Sequence, residues 1–264
     1  MQATIDGRQR TGQARVSLTE KVLGPRTTYA RLIGALFLVG FLTYGIGLTL
    51  VNSVISVPDF FATIPAVQST LVIGAVLMLL NTVVDIGKGV LFFPILENHG
   101  KRTALVYLAA IVAQVVLLDI GVLFLLMLVP LAQIAADAGA ASAAWAPGIA
   151  SLLAEANTIA YNVGQATLSF GGIFLCMLLL RTRLIPQVLA GLGVVGYMVH
   201  ATGSISELLG FPLSLYLLIP GAIFEVGIAF WLIVKGFQPA AIAKGLGAPV
   251  GDDRAVTAPI PVAG

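Results

Sequence analysis

Six long apolar runs divide the chain, at about residues 30–51, 67–96, 104–131, 154–180, 187–209 and 213–234. Each is long enough to cross a hydrocarbon layer about 30 Å thick as a helix, which takes about 20 residues. Main-chain N–H and C=O groups in lipid must be satisfied inside the spanning element, so runs of this kind fold as helices. The expected fold is all-α, a polytopic membrane bundle of six transmembrane helices. Composition agrees: of 264 residues, 58% are hydrophobic and 10% charged, against about 25% charged in soluble domains. So few charges do not cover a water-soluble surface. The first run starts too late and runs too long for a secretory signal, whose apolar core is about 7–15 residues.

Basic residues sort onto one side. Arg8, Arg10, Arg15, Lys21, Arg26 and Arg31 precede the first span; Lys101 and Arg102 follow the second; Arg181 and Arg183 follow the fourth; Lys235, Lys244 and Arg254 follow the sixth. The other three connections carry Asp59, Asp137, Glu155 and Glu207 and no Lys or Arg. The positive-inside rule then places both termini in the cytoplasm. Residues 1–29 are expected to form a basic tail and 238–264 a Gly/Pro/Ala-rich tail, both disordered, around a transmembrane domain at 30–237. The connections 53–66 and 132–153, with their Pro, Phe and Trp residues, suit segments lying in the interface. One cysteine, Cys176, and two histidines, His99 and His200, offer no metal site. A net charge of +2 gives no footprint for nucleic acid.

Polar groups within a span are costly, and each is a functional candidate to be weighed against a structural role. The second span holds Asn81, Asp85 and Lys88; their spacing puts them on one helical face, where Asp85 and Lys88 form an ion pair or part of a binding site. The third holds Gln114 and Asp119. The fourth holds Asn157, Tyr161, Asn162 and Gln165, the first, second and last recurring every four residues. His200 and Ser204 lie in the fifth and Glu225 in the sixth. At about 1.5 Å per residue, Asp85, Asp119, Gln165, His200 and Glu225 all fall about 15–23 Å deep. If these faces converge they bind a small solute or a proton; if not, they glue helices together.

No nucleophile elbow, zinc-protease helix, phosphate-binding lysine loop or Cys-x-x-Cys is present, and no cofactor is implied. Gly191, Gly193 and Gly196 spell G-x-G-x-x-G, but inside an apolar helix, where small residues serve close packing. His200 with Glu225 is the one acid–base combination in view.

Three blocks carry a resemblance: RLIGALFLVG at 31–40, RTRLIPQVLAGLGVVGY at 181–197 and IPGAIFEVGIAFWLIVKGF at 219–237. With Ile185, Pro186, Pro220, Phe224, Glu225, Trp231, Lys235 and Gly236 at their spacing, the chain resembles the bacterial membrane family catalogued as domain of unknown function 4386. The resemblance implies a six-helix protein of the cytoplasmic membrane and no activity, cofactor or catalytic residue. The first expectation is a non-enzymatic protein that binds or transports a small solute or proton through its midplane polar cluster. Two others stay open: a membrane enzyme acting on a lipid or lipophilic substrate, and a structural bundle that binds a partner or a second copy of itself.

Overall fold

The computed structural model describes residues 2–139 and 142–245, with side chains over 27–139 and 142–242. Every regular element among them is a helix. The first, α1 (Gln2–Ile55), has its apolar stretch at Thr27–Ile55. A continuous helical trace then covers Phe60–Ala138, 79 residues, about 120 Å if straight. It is not straight. Gly100 leaves helical geometry (φ 179, ψ 79) and the chain doubles back, so we treat 60–99 as α2 and 101–138 as α3. Their antiparallel packing shows in Gly89 facing Leu108 and Ile111 and in the Phe92 ring meeting the Tyr107 ring edge-on at 6.2 Å. The remaining helices are α4 (Ala146–Thr182), α5 (Gln187–Leu208), α6 (Ser214–Val234) and the short α7 (Pro239–Gly245). Five helical stretches among the described residues are long and apolar enough to cross a membrane, and dividing the 79-residue one at Gly100 gives six segments that match the six apolar runs.

Three expectations change. Residues 2–29, expected in a disordered tail, are helical and form the first part of α1. The connections 53–66 and 132–153 are mostly helix, because α2 starts at Phe60 and α3 continues to Ala138; the links shrink to 56–59 and 139–145. Residues 239–245, expected within a loose tail, form α7, and Ala241 and Ile242 in it are buried. The rest of that tail, 246–264, and the side chains of the basic tail before residue 27 lie outside the described residues.

Each span packs against its neighbours in sequence, and the last returns to the first. Close approaches mark every joint. A Cβ on Gly47 would lie 2.8 Å from the Gly74 carbonyl oxygen (α1–α2), one on Gly172 2.7 Å from the Tyr197 ring (α4–α5), one on Gly196 2.9 Å from the Gly221 Cα (α5–α6), and one on Gly34 2.6 Å from the Ala229 oxygen (α1–α6). Gly171 meets Ala110 where α4 joins α3. Backbones this close exchange dispersion contacts without a hydrophobic driving force between helices, the usual basis of packing in lipid. The outward faces are apolar: Leu42, Val83, Leu123, Leu152, Phe170, Val195 and Val234 are all exposed.

Two apolar clusters fill the ring. One occupies the half nearest the termini and draws on all six spans, with Phe37, Phe92, Tyr107, Leu175, Tyr197, Phe224 and Ile228 buried together. The chain closes this end by turning at Gly236 (φ 71), stacking Phe237 edge-on against Phe92 at 5.8 Å and docking α7. The His99 ring bridges the Ile95 carbonyl (2.9 Å) and the Ala241 carbonyl (3.0 Å), tying α7 to the α2–α3 turn. The second cluster fills the far half with Val51, Leu71, Met78, Val122, Leu125, Leu128 and Ala150, and contains residues of α1–α4 only.

Candidate binding site in the bundle interior

Between the two apolar clusters lies a polar layer. On α2 the Lys88 Nζ sits 2.7 Å from Asp85 Oδ1, and the Asn81 side-chain amide donates to Asp85 Oδ2 at 3.1 Å. Both carboxylate oxygens are thus engaged within one helix. The ammonium also lies 4.5 Å from the centroid of the Phe37 ring on α1, a cation–π contact that supports a desolvated charge. Gly40 on α1 leaves room for this group: a Cβ there would stand 3.1 Å from Asn81 Oδ1.

Across the interior, the Tyr197 hydroxyl of α5 donates to Glu225 Oε1 of α6 at 2.8 Å. One turn along α5, His200 Nε2 meets Gln165 Oε1 of α4 at 3.2 Å, which requires that nitrogen to carry the proton. Asp85 and Lys88 on α2 and Glu225 on α6 lie close enough to influence one another electrostatically. Counted as ionised groups, they are two carboxylates and one ammonium. Asp85 is ion-paired with Lys88; Glu225 accepts from a hydroxyl and, among the described residues, has no cation within ion-pairing distance.

Glu225 also faces the right way to receive one. At about 100° per residue it lies about 150° round α6 from the exposed stripe of Ile219, Ile223, Phe230 and Val234. It points inward and still keeps part of its surface accessible. The same holds for Tyr44 on α1 and for Tyr161 and Gln165 on α4, each about 140–180° from its helix's exposed stripe and each only half-buried. The Tyr44 and Tyr161 rings stack at 5.8 Å with an interplanar angle of 18°. Inward residues that keep accessible surface border unpacked space. Among the described residues, Gln114 Oε1, Asn162 Oδ1, Ser169 Oγ, His200 Nδ1 and Ser204 Oγ are buried with no protein hydrogen-bond partner. Such groups carry a desolvation cost until water or a ligand meets them.

The structure brings together Asn81, Asp85 and Lys88, links His200 with Gln165, and sets Glu225 within reach of the α2 charges. Tyr161 belongs to the same space. Gln114 and Asn157 lie at the α3–α4 joint, where Gly164 and Gly121 make room for them. Asn162 spends its amide on the Thr158 carbonyl at 2.9 Å. Asp119 stands apart: it lies about 60° from the exposed stripe of Val112, Val116, Ile120 and Leu123, and its Oδ1 is buried without a partner. His200 Nε2 bonds Gln165 and Glu225 Oε1 accepts from Tyr197, and no hydrogen bond between His200 and Glu225 is found among the described residues. Sequence reasoning missed Tyr44 and Tyr197; a tyrosine hydroxyl inside an apolar span must find a partner, and that demand was the available signal.

The architecture and its inward polar layer define a multi-pass integral membrane protein of the helix-bundle class. The chain belongs to the family described as Domain of unknown function (DUF4386), which matches residues 32–236 and so takes in all six spans. No curated protein and no solved structure matches it.

Proposed function

We propose that the protein is a non-enzymatic membrane binding protein that takes up a proton or a small cationic solute at Glu225. The surplus of one carboxylate over the ammonium in the interior carries this reading: a buried charge without a counter-charge is costly, and a proton or a cation removes the cost. The inward accessible surface at Glu225, Gln165, Tyr44 and Tyr161 supports it by giving a ligand somewhere to sit. The closed end under α7 favours binding over free conduction, since a solute passing through has to displace Phe92 and Phe237. The setting is the bacterial cytoplasmic membrane with both termini inside, a placement resting on the one-sided distribution of Lys and Arg.

The test uses the purified protein in liposomes, with ethylamine as probe and proton uptake followed in parallel. The parent is expected to bind ethylamine or take up protons, and Glu225→Gln, which keeps shape and removes the charge, to abolish both. Asp85→Asn is expected to weaken binding less, because its partner is Lys88. Equal behaviour of parent and Glu225→Gln, or no uptake by the parent, overturns the proposal.

A further inference from the structure

The stripe of α1 that meets α6 opens progressively along its length. Gly34, Leu38, Phe41 and Gly45 follow one another at helical spacing on one face. Gly34 is buried against Ala229 and Ile233, Leu38 is half-buried, and Phe41 and Gly45 are exposed, with nothing within 4 Å of a Cβ built on Gly45. The facing side of α6 changes in step: Ala229 is buried, whereas Val226, Ala222 and Leu218 keep accessible surface. The cause is where the close approaches fall. Toward the far end α1 is drawn to α2 by Gly47 and Gly74, and α6 to α5 by Gly203 against Leu217. The close approach of the two helices falls near the termini, at Gly34. The far apolar cluster contains no residue of α5 or α6, as this divergence requires. A wedge-shaped cleft with apolar walls therefore opens sideways to the lipid between α1 and α6. Glu225 lies one turn above its closed apex at Ala229, and the Tyr44–Tyr161 stack lies behind.

We infer that the cationic ligand is amphipathic, an amine on an alkyl chain, which reaches Glu225 laterally from the bilayer with its chain lying in the α1–α6 cleft. This rests on the binding reading above and specifies its ligand class. The charge of the site selects the head: a carboxylate without a counter-charge and stacked aromatic rings both attract an ammonium. The walls select the tail, since Phe41, Leu218, Ala222 and Val226 offer no hydrogen bond. An anionic lipid is disfavoured by Glu225, and a neutral alcohol leaves its charge unmatched.

The experiment uses dodecylamine bearing a photoactivatable diazirine on its chain, mixed with the full-length protein in phosphatidylcholine vesicles, with attachment sites mapped by mass spectrometry. Labelling is expected in residues 41–48 and 218–226, competed by unlabelled dodecylamine and not by dodecanol. Glu225→Gln and Gly45→Trp, which fills the cleft, are each expected to lower it about ten-fold or more; Gly45→Leu replaces the tryptophan variant if thermal unfolding shows that variant misfolded. Labelling of the parent elsewhere, or competition by dodecanol equal to that by the amine, overturns the inference. Ethylamine binding that needs Glu225, together with dodecylamine labelling that ignores Gly45→Trp, removes lateral access and leaves the binding site intact. Loss of Glu225 dependence for both amines removes both readings. If Gly45→Trp instead breaks up a dimer and spares amine labelling, the cleft is an interface between two copies and the inference fails.

Discussion

Asp85 and Lys88 burden the second span by about 5–7 kcal/mol on insertion scales, and the offset is now visible in the ion pair, the Asn81 amide and the Phe37 ring. Removing one partner strands the other charge. Asp85→Asn and Lys88→Met are each expected to destabilise the protein by about 3–5 kcal/mol, with the double variant losing much less than the sum. Reversible unfolding in mixed detergent micelles measures this cycle; strictly additive losses would falsify a coupled pair. At Tyr197→Phe only a hydroxyl donor is lost, so a cost of about 0.5–1.5 kcal/mol is expected in the same assay. A cost near zero would mean that the bond to Glu225 does not form. The α2 group was legible in the sequence because positions three and four apart share a face in any helix. Tyr197 and Glu225, 28 residues apart, meet only through the α5–α6 packing, which local spacing does not encode. Shared depth along the spans likewise does not determine which neighbour a side chain reaches: His200 bonds Gln165 and Glu225 accepts from Tyr197.

For the helices, number was readable and lengths and ends were not. Hydropathy marks where a segment suits lipid, whereas α2 and α3 continue as helix beyond the long apolar runs, through 60–66 and 132–138. The G-x-G-x-x-G run was rightly read as packing for two of its three glycines. Gly193 faces Cys176 and Phe224, and Gly196 faces Gly221, but Gly191 touches nothing. The divergence of α1 from α6 makes a paired prediction. Gly34→Ala pushes a methyl into the Ala229 carbonyl and is expected to cost about 1–3 kcal/mol. Gly45→Ala meets no neighbour and is expected to be neutral or to stabilise by up to about 1 kcal/mol through helix propensity. Thermal unfolding of both variants decides, and equal losses would contradict the wedge.

At the scale of the whole molecule, the basic residues predict that the α2–α3 turn faces the cytoplasm with both termini. In intact cells a membrane-impermeant maleimide is expected to label Ser56→Cys and Gly139→Cys, and to label Lys101→Cys only after permeabilisation; Cys176 is buried and adds no background. The reverse pattern would invert the orientation and, with it, the leaflet toward which the wedge opens. The circular order of the helices has a consequence of its own. Five of its six joints are tethered by a connecting segment, so separating those helices strains the chain. The α1–α6 joint is a seam between spans far apart in sequence, and no connecting segment links the two helices directly. It can widen and close at the expense of side-chain contacts alone, which makes it the place where the barrel of helices yields first.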